Sequence, residues 1–318
     1  GMRLVGPNCM GVLSTAADVR LDATFSPVYP PAGAISFATQ SGALGLALLD
    51  HARALDLGIA DFISLGNRAD VSPNDVISYW RDDPHTRVIA LYLESFGNPR
   101  TFARLAPEVA REKPIIAVKS GRSAAGTRAA SSHSAALASL DVGIDALFAQ
   151  TGVIRVDTIE QLFDLAALLS TQPAPLGNRI GVVTNAGGPG ILLADACEAH
   201  GLVLPGLADA TLAQLRTFLP PQAGLANPID MIAAAPPEHF ERAIALVGGD
   251  PNVDAVVAIY IPPLVTAPED VAAAIARGAA RVPRTKPVAT VFMSSKGTPP
   301  ALAQGERGKL PSYGFPEN

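Results

Sequence analysis

The sequence predicts an α/β protein built from two doubly wound parallel sheets. Short apolar runs alternate along the chain with helical patterns, which is typical of βαβ units. The alternation stops in a stretch punctuated by Pro and Gly, residues 170–178, and then starts again. Because 318 residues are more than one ordinary compact core needs, two domains are expected.

The first half contains short apolar runs that predict buried strands. These runs are Ala34–Thr39, Ala60–Leu65, Val88–Glu94, Ile115–Lys119 and Val153–Val156. The helical patterns between and after them cover Ala43–Leu55, Asn74–Trp80, Arg100–Arg111, Ser134–Ala149 and Ile159–Leu169. Together these elements make one complete doubly wound sheet with its helices.

The second half begins in the same way as the first. Residues 34–44 and 180–190 both pass from an apolar run through a Gly-rich turn into a helical pattern. The elements predicted after residue 178 are strand Ile180–Thr184, helix Ile191–Ala199, strands Val253–Ile261 and Val288–Phe292, and a last helix and strand within 300–318. This repetition predicts a duplicated domain, with domains at 31–172 and 177–318. Residues 1–30 fit neither half and are expected to be the end of a preceding domain.

Composition and charge exclude several classes of protein. Hydrophobic residues make up 48% of the chain and charged ones 17%, which excludes a disordered chain and fits buried parallel sheets. No apolar run is long enough to cross a bilayer, and a net charge of −5 gives no general attraction to nucleic acid or an anionic membrane. Cys9 and Cys197 lie far apart, in no metal-ligand spacing, so we expect a reduced, cytoplasmic chain without a metal site.

Two Gly-rich turns are candidate anion sites. Ser41-Gly42 and the turn containing Gly187, Gly188 and Gly190 each precede a helical pattern, and helix N-termini offer unpaired N–H groups and a positive dipole end. Neither turn is a Walker A loop or a full dinucleotide fingerprint. Each alone could be an ordinary tight connection, but two in matching places favour anion binding.

His133 and Glu94 are candidate catalytic residues. His133 follows a long loop of small and polar residues, 120–132, and an imidazole nitrogen can both attack phosphorus and leave it again. From spacing alone, a histidine that hydrogen-bonds locally at a helix start is the simpler interpretation. Glu94 ends a predicted strand, where it could orient an imidazole or be an ordinary exposed acid.

Six motifs occur in an order that resembles a known family. They are Gly6-Pro7-Asn8-Cys9, Gln40-Ser41-Gly42-Ala43, Gly66-Asn67-Arg68-Ala69-Asp70, Ser132-His133-Ser134-Ala135-Ala136, Asn185-Ala186-Gly187-Gly188-Pro189-Gly190 and Asn227-Pro228-Ile229-Asp230. Together they resemble the NDP-forming acyl-CoA synthetases, relatives of the succinyl-CoA synthetase α subunit. The resemblance implies two flavodoxin-like ligase domains. It also implies that a CoA-binding domain, of which residues 1–30 are the end, precedes them and that an ATP-grasp domain lies outside this chain.

The resemblance also implies a role for each candidate residue. His133 matches the family's phosphohistidine and Glu94 the acid that steadies it. The helix starts that hold the phosphate match Ser41, Gly42, Gly187, Gly188 and Gly190, and a segment near the thiol end of CoA matches Asn8 and Cys9. The implied reaction is acyl-CoA + NDP + phosphate ⇌ acid + CoA + NTP. In it CoA and a small acid are substrates, and ATP or ADP binds with Mg²⁺ to an ATP-grasp partner.

We therefore expect this chain to hold no cofactor of its own and to make no acyl-CoA by itself from acid, CoA and ATP. A homodimer is compatible with the sequence. The main alternative is the CoA-sensing, regulatory portion of a protein lysine acetyltransferase, in which the phosphohistidine is often replaced; the presence of His133 favours the enzyme. An FMN-binding flavodoxin is disfavoured, because aromatic residues make up only 5% of the chain and neither Trp nor Tyr lies near the Gly turns.

Overall fold

The chain forms two compact units, Gly1–Ser170 and Thr171–Asn318. The computed structural model describes residues 2–95, 97–122, 141–263, 267–294 and 297–317. Both units are α/β structures with parallel strands at their centres, so the predicted fold class is confirmed. Among the described residues, none of the helices has both the length and the apolar composition that a bilayer span requires.

The first unit contains a seven-stranded sheet. Its strands are β1 (Gly11–Ser14), β2 (Leu21–Thr24), β3 (Ala32–Thr39), β4 (Ile59–Ser64), β5 (Val88–Leu93), β6 (Ile115–Lys119) and β7 (Ile154–Val156). They lie in the order β2-β1-β4-β3-β5-β6-β7. Strands β3 to β7 are parallel to one another, and β1 is antiparallel to both β2 and β4. The parallel part has the strand order of a flavodoxin-like sheet.

The helices of the first unit cover both faces of this sheet. They are α1 (Gly42–Ala54), α2 (Pro73–Asp82), α3 (Pro99–Ala110), α4 (Asp141–Thr151) and α5 (Ile159–Thr171). Alternate residues of the central strands β5 and β6 belong to two different apolar clusters, because successive side chains of a strand point to opposite faces. One cluster contains Trp80 and Phe102 from α2 and α3, and the other contains Leu48 and Phe163 from α1 and α5.

The second unit has the same strand order in a smaller sheet. Its strands are β8 (Ile180–Thr184), β9 (Ile229–Asp230), β10 (Ala255–Tyr260), β11 (Val288–Phe292) and β12 (Ser312–Tyr313). All pairs are parallel, in the order β9-β8-β10-β11-β12. The helices are α6 (Gly187–Ala199), α7 (Asp209–Leu215), α8 (Pro237–Gly249), α9 (Pro268–Ala280) and α10 (Pro300–Ala303). The strand order repeats that of the parallel part of the first unit.

Most predicted strands end within two residues of the observed ones, but the short strands β1, β2 and β9 were missed. Strand β9 has two residues and β2 is mostly exposed, so neither gives the long apolar run that marks a buried strand. Residues 11–24 therefore add two antiparallel strands to the first sheet. Their origin in a preceding domain stays a prediction. The helix predicted over 134–149 is described only from residue 141 onward.

Gly181 lies in the middle of β8, where α8 packs closely against the sheet. A Cβ atom there would overlap Cγ1 of Val247 and lie 3.0 Å from Cγ1 of Val253, and both valines are buried. We expect Gly181→Ala to lower the free energy of unfolding of the second unit by about 1–3 kcal/mol, because the packed core must shift. Denaturant unfolding measures this value. The control is Gly249→Ala, where a Cβ meets nothing within 4 Å, and equal stability of both variants would contradict the prediction.

Candidate functional site

Each sheet has one topological switch point, between β3 and β5 in the first unit and between β8 and β10 in the second. The connections from the two neighbouring strands run to opposite faces there, which opens a crevice at the carboxyl ends of the strands. Open α/β sheets place their ligands in this crevice. Both predicted Gly turns directly follow the first strand of such a pair.

The turn of the first unit is held by local hydrogen bonds. Oγ1 of Thr39 accepts from the Ser41 amide at 3.1 Å and donates to the Ser41 carbonyl at 3.0 Å. Ser41 is the N-cap residue of α1, and its hydroxyl accepts from the Leu44 amide at 3.3 Å. Because the other first-turn amides have no partner within the helix, the turn directs N–H groups into the crevice.

The side chain of Gln40 crosses the switch point. Its Oε1 accepts from the amides of Glu94, at 2.7 Å, and Ser95, at 2.9 Å. Its Nε2 donates to the Ser95 carbonyl at 2.6 Å. Gln40 is only 6% exposed, so these bonds are shielded from water. The backbone at Glu94 is therefore fixed relative to the turn that begins α1.

The second unit repeats this arrangement. Oγ1 of Thr184 bonds to both the amide and the carbonyl of Ala186 at 3.0 Å. The side chain of Asn185 crosses from β8 to the end of β10, where its Oδ1 accepts from the Ile261 amide at 3.0 Å and its Nδ2 donates to the Ile261 carbonyl at 2.9 Å. Helix α6 then begins at Gly187. The two units thus present a helix N-terminus at the same topological position.

The glycines of the two turns are not all required by the fold. A Cβ at Gly42 would come no closer than 3.6 Å to Met10 N, and a Cβ at Gly188 would meet nothing within 4 Å. Packing would therefore accept alanine at both positions. Gly190 is buried against Pro228, and a Cβ at Gly187 would lie 3.1 Å from Oδ2 of Asp230, which puts a carboxylate beside the second turn.

A cleft of about 650 Å³ in the first unit gathers five of the predicted site residues. Its lining consists of Asn8, Cys9, Phe25, Gln40, Ser41, Gly42, Ala43, Leu46, Gly66, Asn67, Arg68 and Glu94. The predicted CoA segment, the start of α1 and the predicted acid thus share one cleft. Gly187, Gly188 and Gly190 belong to the second unit. His133 lies outside the described residues.

Two loops hold the rim of this cleft together. The Asn67 amide donates to the Pro7 carbonyl at 2.9 Å, and the Asn8 side chain donates to Oδ1 of Asn67 at 3.3 Å. Gly66 has a φ of +53°, and a Cβ there would overlap the Pro7 and Asn8 carbonyl oxygens, so only glycine fits. The half-buried Cys9 is thereby placed on the same rim as Asn8.

Arg68 is a site residue that the sequence reasoning missed, although the motif around it was noted. It follows β4 at the carboxyl edge of the sheet, and its Nη1 donates to the carbonyl oxygen, at 3.1 Å, and to the hydroxyl of Ser95. Its Nε is buried and has no hydrogen-bond partner among the described residues. Burial lowers the pKa of the Arg68 guanidinium, and the charge of Glu94 opposes that shift. An arginine directly after a strand that enters the crevice was the available signal.

Comparison with known proteins assigns the family. Residues 32–169 match the succinyl-CoA ligase like flavodoxin domain, and residues 180–298 match the ligase-CoA domain. The chain is 41% identical to the alpha subunit of acetate–CoA ligase (ADP-forming) II of Pyrococcus furiosus, over 100% of this chain and 69% of that protein. The chain belongs to the ADP-forming acetate–CoA ligase family. The members of this family are acid–thiol ligases, and the chain corresponds to the alpha-subunit portion.

Other relatives agree with this assignment and with the resemblance noted in the sequence. The chain is 43% identical to the ADP-forming acetate–CoA ligase of Methanocaldococcus jannaschii, over 74% of this chain and 33% of that protein. The dinucleotide forming acetyl-coenzyme A synthetase 1 of Ca. Korarchaeum cryptofilum, solved in complex with phosphate and ADP, matches with a TM-score of 0.92 and 35% identity. That match covers 100% of this chain and 68% of the other.

Replacing Gln40 tests whether it fixes the crevice. We expect Gln40→Leu to lower the free energy of unfolding of the first unit by about 1–3 kcal/mol, because it leaves the amides of residues 94 and 95 without their buried acceptor. Denaturant unfolding measures the loss. Asn67→Ala is the control, since its side-chain bond is exposed and little change is expected. Equal stability of Gln40→Leu and the wild type would contradict the assignment.

Proposed function

We propose that this chain relays a phosphoryl group between an acyl phosphate and a nucleotide within an NDP-forming acyl-CoA synthetase. The observation that carries the proposal is the cleft of the first unit, which joins Glu94 and the start of α1 to Asn8 and Cys9. Membership of the ligase family supports an acid and CoA as the substrates. The role proposed for His133 is supported by its sequence motif, residues 132–136, and not by geometry.

The proposed reaction proceeds in three balanced steps. Phosphate attacks the carbonyl carbon of the acyl-CoA, and the CoA thiolate leaves to give an acyl phosphate. An imidazole nitrogen of His133 then attacks the phosphorus, and the electron pair of the broken P–O bond leaves with the carboxylate of the acid. The phosphoryl group finally moves from His133 to NDP, which binds with Mg²⁺ to an ATP-grasp domain or subunit acting as partner.

The starts of α1 and α6 supply the charge that such an intermediate needs. Each helix N-terminus carries about half a positive charge, whereas the chain as a whole has a net charge of −5. We propose that Ser41-Gly42 and Gly188–Gly190 each bind phosphate through their backbone amides, as the family resemblance implies for the phosphate of phosphohistidine. The room around Gly42 and Gly188 supports this proposal, because a ligand that approaches the backbone explains glycine where packing does not.

Glu94 is proposed to accept a hydrogen bond from the His133 ring when that residue is docked. A carboxylate in this position orients the imidazole and stabilises its charged, phosphorylated form. The Gln40 side chain supports this role, because it holds the Glu94 amide and thus the strand end from which the carboxylate projects. Asn8 and Cys9, on the rim of the same cleft, are proposed to lie near the thiol end of CoA.

Phosphorylation by a labelled acyl phosphate tests the relay. We expect acetyl phosphate to label the chain on His133, and the label to be acid-labile and base-stable, because a phosphoramidate forms. Scintillation counting after acid and base treatment measures it. His133→Ala should carry no label, whereas His85→Ala, at an exposed turn, should be labelled like the wild type. A label that survives in His133→Ala, or that behaves as a phosphoester, would rule the relay out.

A further inference from the structure

The cleft of the first unit contains an opposed pair of charges. Among the described residues that line it, Arg68 is the one cation and Glu94 the one anion. The charge of Glu94 raises the pKa of Arg68 against the effect of burial. Nothing in the relay described above uses Arg68, although it lies in the same cleft.

The Arg68 guanidinium is held in one orientation. Both of its recorded hydrogen bonds within the described structure leave from Nη1 and end on Ser95. Ser95 is in turn fixed by the Gln40 side chain, which bonds to both its amide and its carbonyl. Arg68 itself has a φ of +55°, so its backbone adopts the left-handed conformation in the turn after β4. In the part of the chain that the structure describes, the opposite edge of the guanidinium, formed by Nε and Nη2, makes no hydrogen bond to Ser95.

That edge has the chemistry of an oxyanion site. The Nε atom is buried and unpaired among the described residues, and a buried donor without an acceptor costs about 1–3 kcal/mol. The planar fork of an arginine matches the two oxygens of a carboxylate in a bidentate pair. In the same cleft, the amides at the start of α1 are available to bind phosphate. For a carboxylate, Arg68 is the one cation among the described lining residues.

We propose that Arg68 binds the carboxylate of the acid substrate. This inference rests on the proposed function and deepens it by assigning the residue that receives the small monocarboxylate. When the P–O bond of the acyl phosphate breaks, the electron pair goes to an oxygen of this carboxylate, and Arg68 stabilises the charge that develops there. Leu46 and Phe25, which line the same cleft, give the alkyl part of the acid an apolar surface.

Acetate binding to the unphosphorylated chain tests the site without any chemistry. Saturation-transfer NMR of acetate gives its apparent Kd for the wild type and for Arg68→Met. We expect Arg68→Met to weaken acetate binding roughly 10- to 100-fold, the size of a charged hydrogen-bond pair. Arg68→Lys should weaken it too, because lysine keeps the charge and loses the fork. Arg53→Met, which removes an exposed arginine from α1, should bind acetate like the wild type.

Inorganic phosphate, followed by phosphorus NMR, separates the two possible anions. We expect its binding to be the same in Arg68→Met and the wild type. An equal loss of phosphate and acetate binding would overturn the assignment to a carboxylate. Wild-type affinity of Arg68→Met for acetate, or no acetate binding by the wild type, would overturn the site itself. Circular dichroism checks the fold, and if Arg68→Met does not fold, the Arg68→Lys result decides.

The acetate experiment and the labelling experiment fail independently. Acetate binding does not need His133. If acetate binding depends on Arg68 but acetyl phosphate does not label the chain, the relay alone is refuted. Labelling of His133 together with acetate binding that ignores Arg68 would refute the carboxylate site alone.

Discussion

The hydrogen bonds of two amide side chains, Gln40 and Asn185, fix the backbone at the switch point of each sheet. A doubly wound sheet must part its connections at one place, and the crevice opens there. Gln40 and Asn185 connect the two strand ends at the switch point. Each side chain hydrogen-bonds to both a backbone donor and a backbone acceptor at the end of the neighbouring strand. The helix N-terminus that follows each amide is therefore fixed relative to the adjacent strand, although no continuous secondary structure joins them.

This constraint matters for the proposed relay, because the chain has no favourable overall charge for binding anions. A net charge of −5 repels phosphate and carboxylate at long range, so attraction must come from groups in contact with the ligand. In the proposed function, helix N-termini supply this attraction through backbone amides, which cannot be lost by titration. In the proposed carboxylate site, Arg68 supplies it through a guanidinium whose burial disfavours charge unless an anion is near. Both devices act only if their positions are fixed, which the amide bonds ensure.

The sequence predicted the parts of the fold that depend on local patterns. Buried parallel strands such as β6 and β8 were found with their observed ends, because a run of apolar residues is enough to define them. The Gly turns and the acid after β5 were located because they directly follow strands that could be predicted in this way. Family motifs then identified the ligase family, which the comparisons confirmed.

The features that the sequence did not predict depend on contacts between distant residues. Strands β1 and β2 are short. Strand β1 pairs with β4, more than thirty residues away, and β2 pairs with β1 at the edge of the sheet. Arg68 became a site residue only through its bonds to Ser95 and through the fit of Gly66 against Pro7. The hydrophobic periodicity of the sequence does not indicate such contacts between distant residues. The role of His133 and phosphate binding by the two Gly turns stay predictions.

The central claim is that the starts of α1 and α6 bind phosphate through their backbone amides. Titration of inorganic phosphate into the isotope-labelled chain, followed through the backbone amide signals of Gly42 and Gly188, tests it most directly. The account predicts that both signals shift and saturate, while the signal of Gly249, at the far end of α8, stays fixed. If neither Gly42 nor Gly188 responds at a phosphate concentration that saturates the chain, the claim is contradicted.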